Sequence, residues 1–284
     1  MSTLARERLD AGIEVLRLDR PQVRNALDRA TLALLEEALA ELGADDALRA
    51  LVVSTTSPAA LSAGADVAER LGPEEGVARM EAFARLYAAL DAFPAPTVAV
   101  CVGHCVGAGA EIATACDLRV AGDNLRFAWP GGRLGVPVGP ARLVPLVGLS
   151  RAKELIFTGR PIGMDEALAI GLVQRTAPAA RAEQAAIALA AEVAAHPPDG
   201  LRRLKALFAE LDGGGARTAR ENEVRRLAAP RRGAAQRPLA VQHAPEPGHD
   251  RLQEAARRGR GREGVEMRVG LRAVDEARER ARRP

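Results

Sequence analysis

Long apolar runs are missing from this 284-residue chain. No window approaches the roughly 18 consecutive apolar residues that a membrane-spanning helix requires. The N-terminal stretch MSTLARERLDAG places no apolar segment behind its charges, so neither an export signal nor a membrane anchor is expected. Cysteine is scarce and odd in number: Cys101, Cys105 and Cys116 fall in one apolar stretch, which excludes a disulfide framework and predicts a reducing, cytoplasmic setting. Lysine is almost absent, with only Lys153 and Lys205 against 38 arginines. Such a general bias is compositional, and arginine richness alone argues for no Arg-specific function.

What is present divides into two parts. With 48% hydrophobic and 27% charged residues the chain suits one globular domain plus an appendage. The net charge is +3, yet residues 230–284 carry 14 Arg against 8 acidic residues, which leaves residues 1–229 net negative. The overall pI of about 9.1 therefore describes the tail. A nucleic-acid partner is not expected of the domain. The tail holds no aromatic residue and only eight Val, Leu or Met, so it cannot bury much of a core. It reads as an atypical Arg-rich, poorly ordered segment, with loose helix over 251–257 and 272–283. Residues 1–196 read as the core and 197–229 as the start of a C-terminal helical region.

Within the core the pattern alternates. IEVLRL (13–18) is a strand, LLEEALAEL a helix, 47–55 a buried strand, 74–92 a helix and 97–103 another buried strand. A helix over 106–116 follows, then short strands at 118–121 and 125–128 and helices at 151–157, 164–170 and 181–195. This order predicts a layered α/β fold.

Two small-residue patches stand where strands end: Ser62-Ala63-Gly64-Ala65-Asp66, and Gly103 through Glu111. Unpaired N–H groups at the start of a helix collect ligands at such places. The spacing of GHCVGAG is wrong for a dinucleotide fingerprint, and no P-loop lysine is present. Glu111 lies three residues beyond Ala108, hence on the same helical face one turn on. A carboxylate in so apolar a helix must be paired, hydrogen-bonded or held at a functional surface.

These residues resemble the enoyl-CoA hydratase/isomerase, or crotonase, superfamily. Arg20-Pro21 with Asn25-Ala26-Leu27, Ser62 through Asp66 and Gly103 through Asp117 look like its signatures, in order. Phe127, Pro130, Leu134-Gly135, Arg142-Leu143, Thr158 through Ile162, Glu166-Ala167 and Gly171 through Val173 follow, so that the likeness covers about residues 12–211. The resemblance implies an α/β spiral of β-β-α units with C-terminal helices, assembled as homotrimers or homohexamers, and an acyl-CoA thioester as substrate. No metal or separate cofactor is implied. It also implies an oxyanion hole made by the amides of Ala65 and Ala108, with Glu111 as the acid/base and Ala63, Gly64, Asp66, Val67 and Gly107 around the substrate.

The second glutamate of that family is missing. Its position, after Pro130, is Gly131, and the following loop is about three residues shorter. A Gly131 with positive φ would resist a side chain there. Trp129 either lines the acyl pocket or fills the core, and Arg133 either meets a carboxylated acyl group or is solvated. His104, Cys105 and Cys116 read as structural. Hydration of a 2-enoyl-CoA is the default expectation, with decarboxylation, thioester hydrolysis or acyl-CoA binding without turnover as alternatives.

Overall fold

The computed structural model describes residues 2–228; the expectations for 230–284 lie outside them. A six-stranded sheet, ordered β1-β2-β3-β5-β7-β9, joins Leu4–Leu9, Ile13–Leu18, Ala50–Thr55, Thr97–Cys101, Leu118–Gly122 and Arg175–Ala177. Only β1 runs antiparallel to its neighbour. A second, parallel sheet joins three short strands, β4 (Ala60–Ser62), β6 (His104–Val106) and β8 (Arg126–Ala128). The chain visits the sheets in turn, β3 then β4, β5 then β6, β7 then β8, with a helix after each pair. This is the spiral of β-β-α units that characterises the crotonase fold.

Period-two alternation explains why the large sheet is buried on both faces. Leu16, Leu18, Leu51, Val53, Ala99 and Cys101 point to one side, towards α1 (Arg29–Gly43), α2 (Pro73–Asp91) and α3 (Ala108–Ala115). Ile13, Val15, Ala50, Val52, Val98 and Val100 point to the other, where Ala182, Ala186, Leu189 and Ala190 of α8 (Ala182–Ala194) cover them. Arg119 is buried without a carboxylate partner; it donates instead to the carbonyls of Ala113, Cys116 and Leu172 and so caps the end of α3.

The structure departs from the sequence reading at several elements; β4 and β9 are strands where none is expected. The sequence pattern gives no strand before 13–18, because Arg6, Glu7 and Arg8 in a row break the alternation of apolar and charged residues in β1. The strand expected over 97–103 breaks before β6, since Gly103 turns at φ +51 and a Cβ there would lie 2.0 Å from the Ala59 carbonyl oxygen. Within 129–141, expected as loop, the chain forms α4 (Gly131–Leu134) and begins α5 (Pro140–Val147); their glycines and prolines mask the helical pattern.

Helices α6 (Leu149–Thr158) and α7 (Met164–Ala169) complete the core, and α9 (Pro198–Asp212) and α10 (Gly214–Ala228) follow it. No helix among the described residues is long and apolar enough to cross a membrane.

Candidate active site

The N-terminal motif builds one wall. Asn25, at φ +54, donates through Nδ2 to Thr55 Oγ1 (2.7 Å) and to the carbonyls of Ala60 (3.0 Å) and Leu61 (3.1 Å). Its own carbonyl accepts from Ser62 Oγ at 2.7 Å. Arg20 reaches Asp66 at 3.2 Å and Asp28 at 3.1 Å. Backbone bonds from Leu27 N to Gly64 O (2.8 Å) and from Asp66 N to Leu27 O (2.9 Å) complete the clamp on residues 63–66.

That loop is laid against the start of α3. A Cβ on Gly64, whose φ is +100, would sit 2.8 Å from Val106 O and 3.5 Å from Ala108 N, and one on Gly109 would sit 2.3 Å from Ser62 O. Only glycine permits this approach. The N–H groups of Ala65 and Ala108 donate to nothing among the described residues. Two free donors on adjoining backbones are what a developing oxyanion requires. Gly107 turns at φ +54 with open space on its Cβ side, and its N–H is held by Ala128 O at 2.9 Å. Val67, at 93% exposure, stands at the outer rim of the loop.

Glu111 is fully buried. Its Oε1 accepts from Trp129 Nε1 at 3.1 Å, and its Oε2 pairs with Arg142 Nη1 at 3.2 Å. Arg142 uses its other nitrogens on Asp91, with Nη2 to Oδ2 at 2.7 Å and Nε to Oδ1 at 3.2 Å, and its guanidinium lies 5.0 Å from the Tyr87 ring centre. Burial pushes the Glu111 carboxyl up to about 7; Arg142 opposes the rise, and the negative charge of Glu221 adds to it. Burial likewise raises the Asp91 carboxyl. A carboxyl balanced near neutral pH exchanges protons readily, as general acid/base work demands.

The structure resolves the remaining sequence candidates. Trp129 is buried, stacks on Phe127 at 4.8 Å and orients Glu111 through its indole N–H. Arg133 is exposed, and its Nη2 donates to Thr158 O at 2.6 Å. The charged neighbours of His104 are Arg24 and Arg126, and Asp66 is tied to Arg20. Neither stands as a second base beside Glu111. Cys101, Cys105 and Cys116 are buried thiols, and burial pushes Cys116 up to about 12. Among the described residues no group of three or more His, Cys, Asp or Glu could hold a metal ion.

Gly131 corrects one expectation. Its φ is not positive, and what excludes a side chain is space: a Cβ would lie 2.6 Å from Val136 O and 3.1 Å from Val138 Cγ1. Val136 and Val138 thus fill the space that a side chain at 131 would need. Gly131→Glu is therefore expected to give no gain in hydration of crotonyl-CoA and to lower stability by about 1–3 kcal/mol through overpacking. Initial rates and a thermal melt check this; a faster enzyme with an unchanged melt would show that the loop yields.

Sequence reasoning treated Arg142 only as a landmark and passed over Asp91, Tyr87, Glu221 and Arg225. Arg142 and Asp91 are separated by 51 positions, and the packing of α2 and α5 on α3 and α10 brings them together. The one local signal was the i, i+4 spacing of Glu221 and Arg225, paired at 2.8 Å.

The fold and the apposed free amides define a class, the crotonase superfamily. Residues 8–231 match the family model for enoyl-CoA hydratase/isomerase, and the chain belongs to that family. It is 32% identical to the short-chain-enoyl-CoA hydratase of Clostridium acetobutylicum over 69% of this chain and 77% of that protein. It is 35% identical to the 2,3-dehydroadipyl-CoA hydratase of Escherichia coli, over 67% of this chain and 76% of that one. Among solved structures, an enoyl-CoA hydratase from Bacillus anthracis superposes with a TM-score of 0.70 at 26% identity, covering 78% of this chain and 90% of that chain.

Proposed function

We propose that the protein hydrates a 2-enoyl-CoA to the 3-hydroxyacyl-CoA, with one glutamate and an oxyanion hole. The observation that carries this is the pair of free amides, Ala65 and Ala108, the second one helical turn from the Glu111 carboxyl, which burial raises to about 7. The thioester oxygen accepts from both amides, so that negative charge developing on it is stabilised as the enolate forms. Ionised Glu111 takes a proton from water as the hydroxyl adds to the β-carbon. The same carboxyl then returns that proton to the α-carbon, and the enolate collapses to the thioester. Residues Ala63, Gly64, Asp66, Val67 and Gly107 form the substrate wall on the coenzyme A side, and Trp129 and Gly131 the floor of the acyl pocket. Coenzyme A enters as part of the substrate.

A single carboxylate also suits decarboxylation or thioester hydrolysis, and the space closed at Gly131 favours keeping these as the second reading. The test is a panel of acyl-CoA thioesters followed by mass spectrometry, which separates water addition from loss of carbon dioxide and from release of free coenzyme A. Hydration requires ionised Glu111, so kcat/KM is expected to rise with pH through a midpoint near 7. A rate that falls across that interval would assign Glu111 the opposite protonation state.

The partner of this chain is proposed to be itself, as a homotrimer or homohexamer in the cytoplasm. Helix α9 buries no residue fully, yet Leu204, Leu207, Phe208 and Leu211 form an exposed apolar stripe along it. A stripe of that kind marks an interface.

A further inference from the structure

Helix α10 packs on α2 and α5 and brings two charged side chains into the molecule, Glu221 at 9% and Arg225 at 3% exposure. Glu221 Oε2 accepts from Ala141 N at 2.7 Å, capping an N–H in the first turn of α5 that has no partner within its own helix. Its Oε1 pairs with Arg225 Nη2 at 2.8 Å. The capped turn is the one that meets Glu111. Arg142 is the next residue after Ala141, and a Cβ on Gly139 would lie 3.6 Å from Glu111 Oε1. Arg142 and Arg225 approach the same Tyr87 ring, at 5.0 and 6.0 Å.

We propose that Glu221 is a positioning residue of the active site, which holds the first turn of α5 against Glu111 and stands in electrostatically for the carboxylate absent at Gly131. Charge accounting supports this. The elements packed around Glu111 present Tyr87 and Asp91 from α2, Arg142 from α5, and Glu221 and Arg225 from α10. His104 of β6 answers to Arg24 and Arg126, and Cys101 and Cys105 of β5 and β6 to each other. Asp91 takes two nitrogens of Arg142, and Glu221 takes Arg225. Asp91 also feels the Lys205 ammonium, whereas Glu111 keeps a single contact to Arg142, and burial together with Glu221 raises its carboxyl. Glu221 makes Glu111 a proton carrier without touching the substrate.

The inference rests on Glu111 being the reacting carboxylate, but its test does not require turnover. Glutamate-labelled full-length protein is titrated by carbon-13 NMR, the Glu111 resonance being assigned by its loss in Glu111→Gln. Glu221→Gln keeps an acceptor for Ala141 N and removes the charge; it is expected to move the Glu111 midpoint down by about 0.5–1 pH unit, because the like charge of Glu221 raises it. Arg225→Met is expected to move it up. A purely structural role of α10 would move both variants the same way or neither, and either result overturns the proposal. The pH profile of kcat/KM with crotonyl-CoA is expected to follow the same shifts, so that Glu221→Gln keeps more of its plateau rate at pH 6 than the parent. If the parent protein turns over no acyl-CoA, the hydratase reading falls, and the NMR midpoints still decide the role of Glu221.

Discussion

Glu111→Gln is expected to lower turnover of the preferred acyl-CoA by about 10² to 10⁴ while leaving its binding within a few-fold of the parent. The two side chains are nearly isosteric, so the packing of α3 survives. The amide, however, can neither take a proton from water nor return one to the α-carbon. Some rearrangement is unavoidable, because Trp129 Nε1 and Arg142 Nη1 both donate to Glu111 and an amide offers only one oxygen. Calorimetry with acetyl-CoA, a thermal melt and a full kinetic comparison separate the effects. A rate equal to the parent's, with the melt unchanged, would make Glu111 a structural group.

Arg142→Met should have the largest effect on stability. Arg142 is almost wholly buried and serves Glu111 and Asp91 together. Methionine replaces its volume and leaves both carboxylates without their cation. Breaking a buried pair from one side costs about 3–5 kcal/mol, or a fall in Tm of roughly 6–20 °C for a domain of this size. Asp91 is about one-third exposed and can turn to water, so the loss falls mainly on Glu111. Because Arg142 holds the Glu111 carboxyl down, its removal is also expected to push the activity midpoint above 7. Arg142→Lys keeps the charge but loses the fork that reaches two carboxylates, and should fall between. A melt within 1 °C of the parent for Arg142→Met would mean that the cluster relaxes around the gap.

Local chemistry decided what could be read along the chain. Strands β2, β3 and β5 are buried on both faces, so their apolar runs stand out, and the alternation of Val52 with Val53 between two cores follows from strand geometry alone. Ala108 and Glu111 share a helical turn, which made an amide and a carboxylate neighbours before any fold was known. The missing carboxylate at Gly131 was equally plain.

Tertiary structure decided the rest, because the deciding contacts join residues far apart in the chain. Pairing of β4 with β6 places the Ala65 amide beside that of Ala108, 43 positions later. Packing of Val136 and Val138 against Gly131 leaves no room for a side chain there. The protonation of Glu111 is the clearest case. Its sequence neighbours carry no charge, and its carboxyl is raised to about 7 by burial and by Glu221 of α10, against the opposing pull of Arg142 of α5. Periodicity reports which face of an element is apolar, whereas the proton affinity of a buried group depends on every charge around it, whatever its distance in sequence.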